Sequence, residues 1–439
     1  VTKVKDGHTV ENTATQVTND KRDKTNTVTN PLKEINPKKD VTVQVGGDSI
    51  DGKSVYLNHT FLYRLDSSIL PPDRAYQTVT DWGGTDQLAT EYDQYLGNWA
   101  VYASRDLYRD GQVLAARGEK IAGSGFDSSK FGGNLFAVDA DGNGKVTVNA
   151  TQAYLDLVSA DNEHEAGWVL YLQCKRIAVA DEVPNTWTET INGQPRESNK
   201  VVTKTPDMTP SIHLEKVDAP TLKQEGQERA DRDDPKQALK MDADSIGITF
   251  IITNTSKTDP ATGDGAWFKA SDLDLADSTI VGDAHVDMDS LAYPDNWDTL
   301  VLKPGESVSV TGTLKGVREG DTHTDRAIVT GTPLVECAPS NGDPFNDKTD
   351  GGEDTDPEYS TGDVTEIDGK QLCADTQATS NTDDWNGYRA KPLASTGTAV
   401  LGLAGGALAV LLAGGSLLVF RKRHRAQGSG RHTAVNAGK

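Results

Sequence analysis

The residues whose types most directly suggest covalent chemistry are the three cysteines, Cys174, Cys337 and Cys373. Cys337 and Cys373 bracket a polar loop rich in Asp, Gly and Pro. In an oxidising compartment they could close a disulfide that contributes ~3–4 kcal/mol by the loop-entropy model. Cys174 lies in the apolar run from Trp168 to Val179 and is expected to be a buried free thiol. The spacing of the three cysteines fits no zinc-binding pattern, which argues against a metal site.

The C-terminus indicates the compartment. The run from Thr398 to Phe420 holds no charged residue and is rich in Leu, Ala, Val and Gly. As a helix rising ~1.5 Å per residue, it is long enough to cross ~30 Å of hydrocarbon. The basic cluster from Arg421 to Arg425 is expected to stay on the cytoplasmic side, which places the preceding residues outside the cell.

A pentapeptide, Leu393-Ala394-Ser395-Thr396-Gly397, stands directly before this run. The pentapeptide, the apolar span and the basic tail, in that order, resemble the sorting signal of Gram-positive LPxTG-type surface proteins. Ala394 replaces the usual Pro, which resembles the Leu-Ala-x-Thr-Gly variant of high-GC Gram-positive bacteria. The resemblance implies that a sortase recognises Leu393, attacks the carbonyl of Thr396, releases Gly397 onward and passes Thr396 to a peptidoglycan amine. A plain single-pass anchor with a chance pentapeptide is the alternative.

The amino-acid composition limits the possible fold class and the possible binding partners of the protein. Asp and Glu number 66 against 44 Lys and Arg, giving a net charge of −22 over 439 residues. Such an acidic chain argues against nucleic acid and anionic membrane surfaces as partners, so the membrane is expected only through the C-terminal segment before sorting. Abundant Thr, Val, Asp and Gly favour short strands, which predicts tandem antiparallel β-sandwich domains. The uncharged run described above adds a C-terminal transmembrane helix to this fold. Residue 1 is Val, and no signal peptide is visible, so we expect a longer parent protein.

Turn signals and composition divide the chain into residues 1–34, 35–207, 208–388 and 389–439. The stretch from Lys24 to Pro31 resembles that from Glu197 to Pro206, and both precede a new segment. Residues 1–34 are therefore expected to be the last strands of a preceding domain. The third segment carries an acidic, Gly/Pro-rich insertion at 339–371, a linker is expected from Tyr388 to Pro392, and the fourth segment is the sorting signal.

Period-two patterns predict strands in the two central segments. The elements expected are Val55–Leu65, Lys145–Asn149, a helix at Ala150–Ala160, Trp168–Ala180 and Asn199–Thr205, then Ser211–Lys216, Ile246–Asn254, Thr299–Leu302, Ser307–Leu314 and Arg326–Thr332.

Several motifs of residues 35–207 resemble, in order, the isopeptide-forming adherence domains at the C-terminus of antigen I/II adhesins. They are Lys38-Lys39-Asp40-Val41, Ser49-Ile50-Asp51-Gly52-Lys53, Phe61-Leu62-Tyr63-Arg64-Leu65-Asp66, Val79-Thr80-Asp81-Trp82 and Ser198-Asn199-Lys200-Val201. Residues 208–388 look like the Ig-like repeats of bacterial surface stalks. Their motifs are Phe250-Ile251-Ile252-Thr253-Asn254-Thr255, Leu302-Lys303-Pro304-Gly305-Glu306-Ser307-Val308 and His323-Thr324-Asp325-Arg326-Ala327.

The adhesin resemblance implies an intramolecular bond between a lysine amine and an asparagine side chain. By motif position, Lys39 is the nucleophile, Asn199 the acceptor and Asp81 the assisting carboxyl, with Lys38 as the rival nucleophile. Asp66 or Asp86 could replace Asp81. The chemistry needs a buried lysine, because an ammonium with a pKa of ~10.4 is no nucleophile at neutral pH and burial lowers that pKa.

In the third segment, Lys216 lies on a strand, and Asp325 occupies a position where Ig-like repeats often carry Asn. A Lys216–Asp325 bond is conceivable; a solvated Lys and a turn Asp are the alternative.

Other candidates for chemistry are weaker. Asp139-x-Asp141-x-Asn143-Gly144 mimics the start of a calcium loop, but Ala150 stands where the bidentate Glu belongs, and a tight hairpin explains the pattern equally well. Calcium elsewhere is possible from the adhesin resemblance, without ligands that can be named. His164, between Glu163 and Glu165, is expected in a polar loop. Because no catalytic constellation stands out, we expect no enzyme activity.

Taken together, these patterns predict a cell-wall-anchored adhesin or fimbrial stalk protein. The expected partners are a sortase, peptidoglycan and an unknown host or bacterial surface ligand. Two alternatives stay open: a wall-anchored exoenzyme whose catalytic domain lies before residue 1, or a polymerising pilin subunit.

Overall fold

The protein is predominantly antiparallel β, as its composition predicts. The structure is a computed structural model that describes residues 9–31, 35–74, 77–219, 232–338, 345 and 364–392. The predicted membrane span and the sorting pentapeptide with Leu393, Thr396 and Gly397 lie outside these residues. Within the described ranges, none of the helices has the length and apolarity needed to cross a bilayer.

Four short strands lie within residues 9–31. They are β1 (Thr9–Asn12), β2 (Thr15–Thr18), β3 (Lys21–Lys24) and β4 (Val28–Pro31). Strand β1 pairs with β4, and β2 pairs with β3. Residues 9–29 are exposed throughout, so these pairs bury no core of their own.

We call residues 35–207 the first domain, and the described part of this range contains fourteen strands and one α-helix. They are β5 (Lys38–Thr42), β6 (Thr60–Asp66), β7 (Trp82–Gln87), β8 (Asp93–Ala103), β9 (Leu107–Arg109), β10 (Gln112–Ala115), β11 (Lys120–Gly123), β12 (Phe136–Ala140), β13 (Lys145–Ala150), α1 (Gln152–Ala160), β14 (Trp168–Arg176), β15 (Ala180–Asn185), β16 (Trp187–Ile191), β17 (Gln194–Glu197) and β18 (Val201–Thr205), with a 3-10 turn at Ser129–Phe131.

Two five-stranded sheets form this domain, in the orders β11-β8-β14-β6-β5 and β12-β13-β7-β16-β17, while β15 and β18 pair as a separate ribbon. Three tryptophans, Trp82, Trp168 and Trp187, meet in the core with ring centroids 5.8–6.1 Å apart. Tyr154 of α1 packs against the same cluster. The large, fully buried rings hold the two sheets face to face, and β5 is the edge strand of its sheet.

Two strand predictions in this domain are wrong in extent. The strand expected over Val55–Leu65 begins at Thr60, because Asn58 takes a positive φ and interrupts the extended backbone. The strand expected over Trp168–Ala180 ends at Arg176. Beyond it, the Ile177 N–H donates to the carbonyl of Tyr92, and the chain leaves the sheet to form β15.

We call residues 208–388 the second domain, and the remaining strands lie in its described part. They are β19 (Ile212–Ala219), β20 (Leu239–Lys240), β21 (Ser245–Asn254), β22 (Phe268–Lys269), β23 (Leu273–Val281), β24 (His285–Val286), β25 (Val301–Leu302), β26 (Ser307–Lys315), β27 (Thr322–Gly331), β28 (Leu334–Glu336), β29 (Thr365–Ile367), β30 (Lys370–Ala374), β31 (Ala378–Thr379) and β32 (Asp383–Tyr388), with 3-10 turns at Pro235–Gln237, Ala270–Asp272 and Met288–Ser290.

Its two main sheets have the orders β19-β21-β26-β24 and β20-β32-β27-β23. Phe250 and Trp385 are fully buried in the core between them. The linker expected from Tyr388 begins one residue later, because Tyr388 still pairs with Thr322.

Side-chain hydrogen bonds join the two domains. Ser54 Oγ donates to Asp259 Oδ2 at 2.9 Å, and Tyr56 OH donates to Asp264 Oδ2 at 3.0 Å. Burial is the main reason that the pKa of Tyr56 rises to about 12, so its hydroxyl remains a donor at neutral pH. The same segment of the first domain therefore contacts both ends of the loop 259–264.

Candidate cross-linking site

Lys39 is the buried lysine of the Lys38-Lys39 pair. Side chains alternate across a strand, so Lys39 shares the inward face of β5 with Val41, while Lys38 is exposed. The Lys39 side chain is 0% exposed, and its Nζ lies 4.5 Å from the centroid of the Tyr63 ring. Its ion-pair partner is Asp86, on β7 of the opposite sheet.

Asn185, the last residue of β15, completes this buried group. Asp86 and Asn185 are 1% and 5% exposed. The Asn185 amide faces the Asp86 carboxylate, and this polar contact acts to lower the pKa of Asp86. Neither Asn185 Oδ1 nor Nδ2 has a hydrogen-bond partner of ordinary geometry within the described ranges, and the same holds for Asp86 Oδ1. Unsatisfied buried polar atoms are costly, so this cluster calls for a functional explanation.

Burial governs the protonation of the pair. It lowers the pKa of Lys39, against the opposing effect of the Asp86 carboxylate. It raises the pKa of Asp86, against the opposing effects of Lys39 and Asn185. Both shifts favour the neutral pair, an amine beside a carboxylic acid, because desolvation penalises each charged form. A neutral buried amine is a nucleophile, and a carboxylic acid can donate a hydrogen bond to an amide carbonyl.

A second buried ion pair lies next to this group. Arg176 Nε is 3.0 Å from Asp93 Oδ1, and both side chains are fully buried. Tyr63 OH donates to Asp93 Oδ2 at 2.8 Å, and Arg176 Nη2 donates to Thr203 Oγ1 at 2.6 Å. The charge of Asp93 is thus matched by Arg176, which leaves Asp86 as the acid paired with Lys39.

The structure contradicts Asp81 as the assisting carboxyl. Asp81 is exposed and accepts hydrogen bonds from the Gly193 N–H at 2.9 and 3.1 Å, so it belongs to a surface turn. Alternation along β7 places Asp86, five residues later, on the inward face. Asp66, the other substitute, pairs with Arg64 at 2.8 Å instead of with a lysine amine.

The structure also contradicts Asn199 as the acceptor. Its Oδ1 accepts from the Lys39 backbone N–H at 2.9 Å, and its Nδ2 donates to the Lys39 carbonyl at 2.8 Å. The amide of Asn199 therefore holds the backbone of β5 and is exposed, whereas the Lys39 amine lies in the core. Sequence reasoning missed Asn185; its one signal is the inward alternation of Val183 and Asn185 along β15.

The structure brings together Lys216 and Asp325, the predicted pair of the second domain. Lys216 Nζ lies 2.7 Å from Asp325 Oδ2, and both side chains are 0% exposed, so neither is the solvated residue of the alternative reading. Asp277 of β23 also forms an ion pair with Lys216, and no sequence motif indicated it.

The remaining candidate residues from the sequence have structural roles. Cys337 and Cys373 are joined in a disulfide, and Cys174 is buried with a free thiol. Asp141 Oδ1 accepts from the backbone N–H groups of Asn143 and Lys145, at 2.8 and 3.1 Å, which accounts for the Asp-rich β12–β13 turn.

His164 stacks on Tyr108 with ring centroids 3.7 Å apart, and its Nδ1 lies 3.1 Å from Asp161. In the part of the chain that the structure describes, His, Cys, Asp and Glu side chains form no group of three or more arranged to hold a metal ion.

Family comparisons place the buried Lys39 group in a known kind of domain. Residues 36–206 match the family model described as the cell surface antigen C-terminus, and residues 1–32 match that of the cell surface antigen I/II C2 terminal domain. Residues 36–206, called the antigen domain below, are therefore similar to the C-terminus of cell surface antigens. The antigen domain accordingly contains Lys39, Asp86 and Asn185, whereas the Lys216 group lies outside both matches.

Individual relatives each match a little less than half of the chain. The aggregation substance of Enterococcus faecalis is 36% identical over 201 residues, which are 45% of this chain and 14% of that protein. The C-terminal domain of the Streptococcus pyogenes antigen I/II-family protein AspA is 27% identical and covers 45% of this chain and 55% of its own, with a TM-score of 0.39. The corresponding domain of Streptococcus agalactiae BspA is 22% identical and covers 46% and 59%, with a TM-score of 0.40.

Proposed function

We propose that this chain is the stalk of a cell-wall-anchored surface adhesin, strengthened by a covalent bond between Lys39 and Asn185. The observation that carries the proposal is the buried group of Lys39, Asp86 and Asn185 inside an antigen I/II-type domain. Its surroundings favour a neutral amine beside a protonated carboxyl, which is the protonation state that amide exchange requires.

The reaction needs no cofactor. The Lys39 Nζ attacks Cγ of Asn185, while the Asp86 acid donates a hydrogen bond to the amide oxygen as it gains negative charge. The Nζ–Cγ bond forms and the Cγ–Nδ2 bond breaks. One amine proton passes to Nδ2 through Asp86, and ammonia leaves. Since folding holds the groups together, the effective molarity is high, and a single turnover per chain is enough.

The bond would be mechanical in purpose. Lys39 lies on the first strand of the antigen domain, and Asn185 lies near its end, 146 positions further along the chain. A bond between them keeps this segment from extending under tension. Direct hydrogen bonds between the domains, such as Tyr56 to Asp264, would pass the load to the second domain.

Anchoring is the second half of the proposal. A sortase would cleave between Thr396 and Gly397 in the motif that begins at Leu393, and attach Thr396 to peptidoglycan. The ligand-binding region would lie outside this chain, which spans only 14% of the Enterococcus relative. The name of that relative, aggregation substance, supports a role in contacts made at a cell surface.

The cross-link is tested by intact mass and peptide mapping. A Lys39–Asn185 bond lowers the mass by ~17 Da, the mass of ammonia, as any covalent modification changes a chain by a defined increment. Lys39→Ala and Asn185→Ala should each abolish the loss. Lys38→Ala and Asn199→Ala are matched controls that should keep it. Loss of the bond in the control variants, or an unshifted wild-type mass, refutes the assignment.

Anchoring is tested by cell fractionation of the full-length protein. Thr396→Ala should move the protein from the peptidoglycan fraction to the membrane fraction, while Ser395→Ala, at the variable position of the motif, should leave it in the wall. An SDS-resistant ladder of multiples would instead indicate a pilin subunit. Equal wall attachment of wild type and Thr396→Ala contradicts the sortase step.

A further inference from the structure

A buried lysine of the second domain faces two carboxyl groups. Lys216 lies on β19, the first strand of its domain, and Asp277 and Asp325 lie on the paired strands β23 and β27 of the opposite sheet. All three side chains are at most 2% exposed. The Lys216 Nζ also lies 5.4 Å from the centroid of the Phe250 ring. One amine and two acids therefore share a dry site between the sheets.

The charges of this group do not balance when all three are ionised. One ammonium and two carboxylates leave a net negative charge in the core, which is costly without further partners. Burial accordingly raises the pKa of Asp277 to about 6, against the opposing effect of Lys216 and with a further rise from Asp325. His323 is buried beside the group, with Nε2 3.5 Å from Asp325 Oδ2.

The contact between Lys216 and Asp325 is not an ordinary salt bridge. Nζ lies 2.7 Å from Oδ2, yet the approach lacks hydrogen-bond geometry, and both Asp325 oxygens have no hydrogen-bond partner among the described residues. Asp277, in contrast, does accept a hydrogen bond from Nζ. Asn185 in the first domain also has two unsatisfied side-chain atoms, and it faces Asp86, which forms an ion pair with a fully buried lysine.

We propose that Lys216 and Asp325 condense to an amide, with Asp277 as the acid that assists. In the reacting state the amine has given its proton to Asp325, and Asp277 keeps its own. Nζ attacks Cγ of Asp325 while Asp277 donates a hydrogen bond to the oxygen that gains charge. The Nζ–Cγ bond forms, a Cγ–O bond breaks, and the departing hydroxyl takes one amine proton and leaves as water.

Position in the fold assigns the two roles. Strand β27 lies between β32 and β23, so Asp325 is held from both sides. Strand β23 is an edge strand, and Asp277 is the carboxyl that accepts a hydrogen bond from the Lys216 Nζ, so it is placed to assist the reaction at Asp325. The bond would join β19 to β27, 109 positions apart in sequence, and would lock the first strand of this domain as well. This inference does not depend on the Lys39–Asn185 bond.

The test is tandem mass spectrometry of proteolytic peptides from the full chain. Peptides containing Lys216 and Asp325 should be recovered joined, with a mass ~18 Da below their sum, the loss of one water. Asp325→Asn should convert that loss to ~17 Da, because ammonia then leaves. Asp277→Asn should remove the assisting acid and leave most chains unjoined. A failed Lys39–Asn185 bond would change different peptides, so the two proposals fail separately.

A matched control separates burial from distance. Lys303 Nζ and Asp368 Oδ2 are also 2.7 Å apart, but their side chains are 44% and 63% exposed. Their peptides should be recovered unjoined in every variant. Separate, unmodified peptides with Lys216 and with Asp325 in the wild type overturn the proposal, and so does a Lys216 peptide joined to Asp277.

Discussion

Replacing Asn185 by alanine isolates the contribution of the proposed cross-link in the antigen domain. The side chain makes no ordinary hydrogen bond within the described residues, so the substitution breaks none. It removes the acceptor of a bond that closes 146 positions of chain, from Lys39 to Asn185. In the loop-entropy model, a closure of that length stabilises the folded state by about 5 kcal/mol. At ~2–4 °C per kcal/mol for a domain of this size, the melting temperature should fall by roughly 10–20 °C.

The assay combines differential scanning calorimetry with intact mass on each preparation. Asn199→Ala is the matched comparison, because it loses two hydrogen bonds to the backbone of Lys39 but keeps the proposed bond. Two such bonds are worth about 1–3 kcal/mol together, so its melting temperature should fall less. The reasoning is refuted if Asn185→Ala melts within a few degrees of wild type, or if Asn199→Ala is the more damaging change.

Three further predictions concern stability. Burial and a neighbouring carboxyl raise the pKa of Asp383 to about 8 from 3.8, so its protonated form favours the folded state. The second domain should therefore lose stability as pH rises from about 4 to 8, and Asp383→Asn should flatten that profile in thermal melts. Reduction of the Cys337–Cys373 disulfide should lower the unfolding free energy of the same domain by ~3–4 kcal/mol, measured in denaturant with and without reductant; an unchanged midpoint would contradict it. Arg176→Ala should cost ~3–5 kcal/mol in denaturant titrations, because it leaves Asp93 buried without its partner; a loss below 1 kcal/mol would show that the charge finds another partner.

The sequence predicted the class of fold and the lysine of the buried group, and it offered Asp86 as a substitute for Asp81. Period-two alternation in β5 is local, so the inward position of Lys39 follows from its neighbours along the strand. Strand β7 was not predicted, and it contains Gly83-Gly84, a residue type that is depleted in strands. Inside the sheet these glycines permit close approach: a Cβ at Gly84 would lie 2.3 Å from the Thr188 carbonyl oxygen. Asp86 lies on that same strand, so no predicted strand was at hand to show that it turns inward, and it stayed a substitute for Asp81.

What the sequence alone determined was the β architecture, the antigen I/II resemblance and the lysine that turns inward, since each depends on residue types and on periods along one strand. Which carboxyl pairs with Lys39, and which amide faces that carboxyl, was decided by tertiary structure. Asp86 reaches Lys39 from the opposite sheet, and Asn185 reaches Asp86 from a separate ribbon. Tertiary structure also decided which residues surround Lys216, because Asp277 reaches this group through the pairing of β23 with β27. Contacts between sheets depend on how whole faces pack, and no motif along a single strand records that packing.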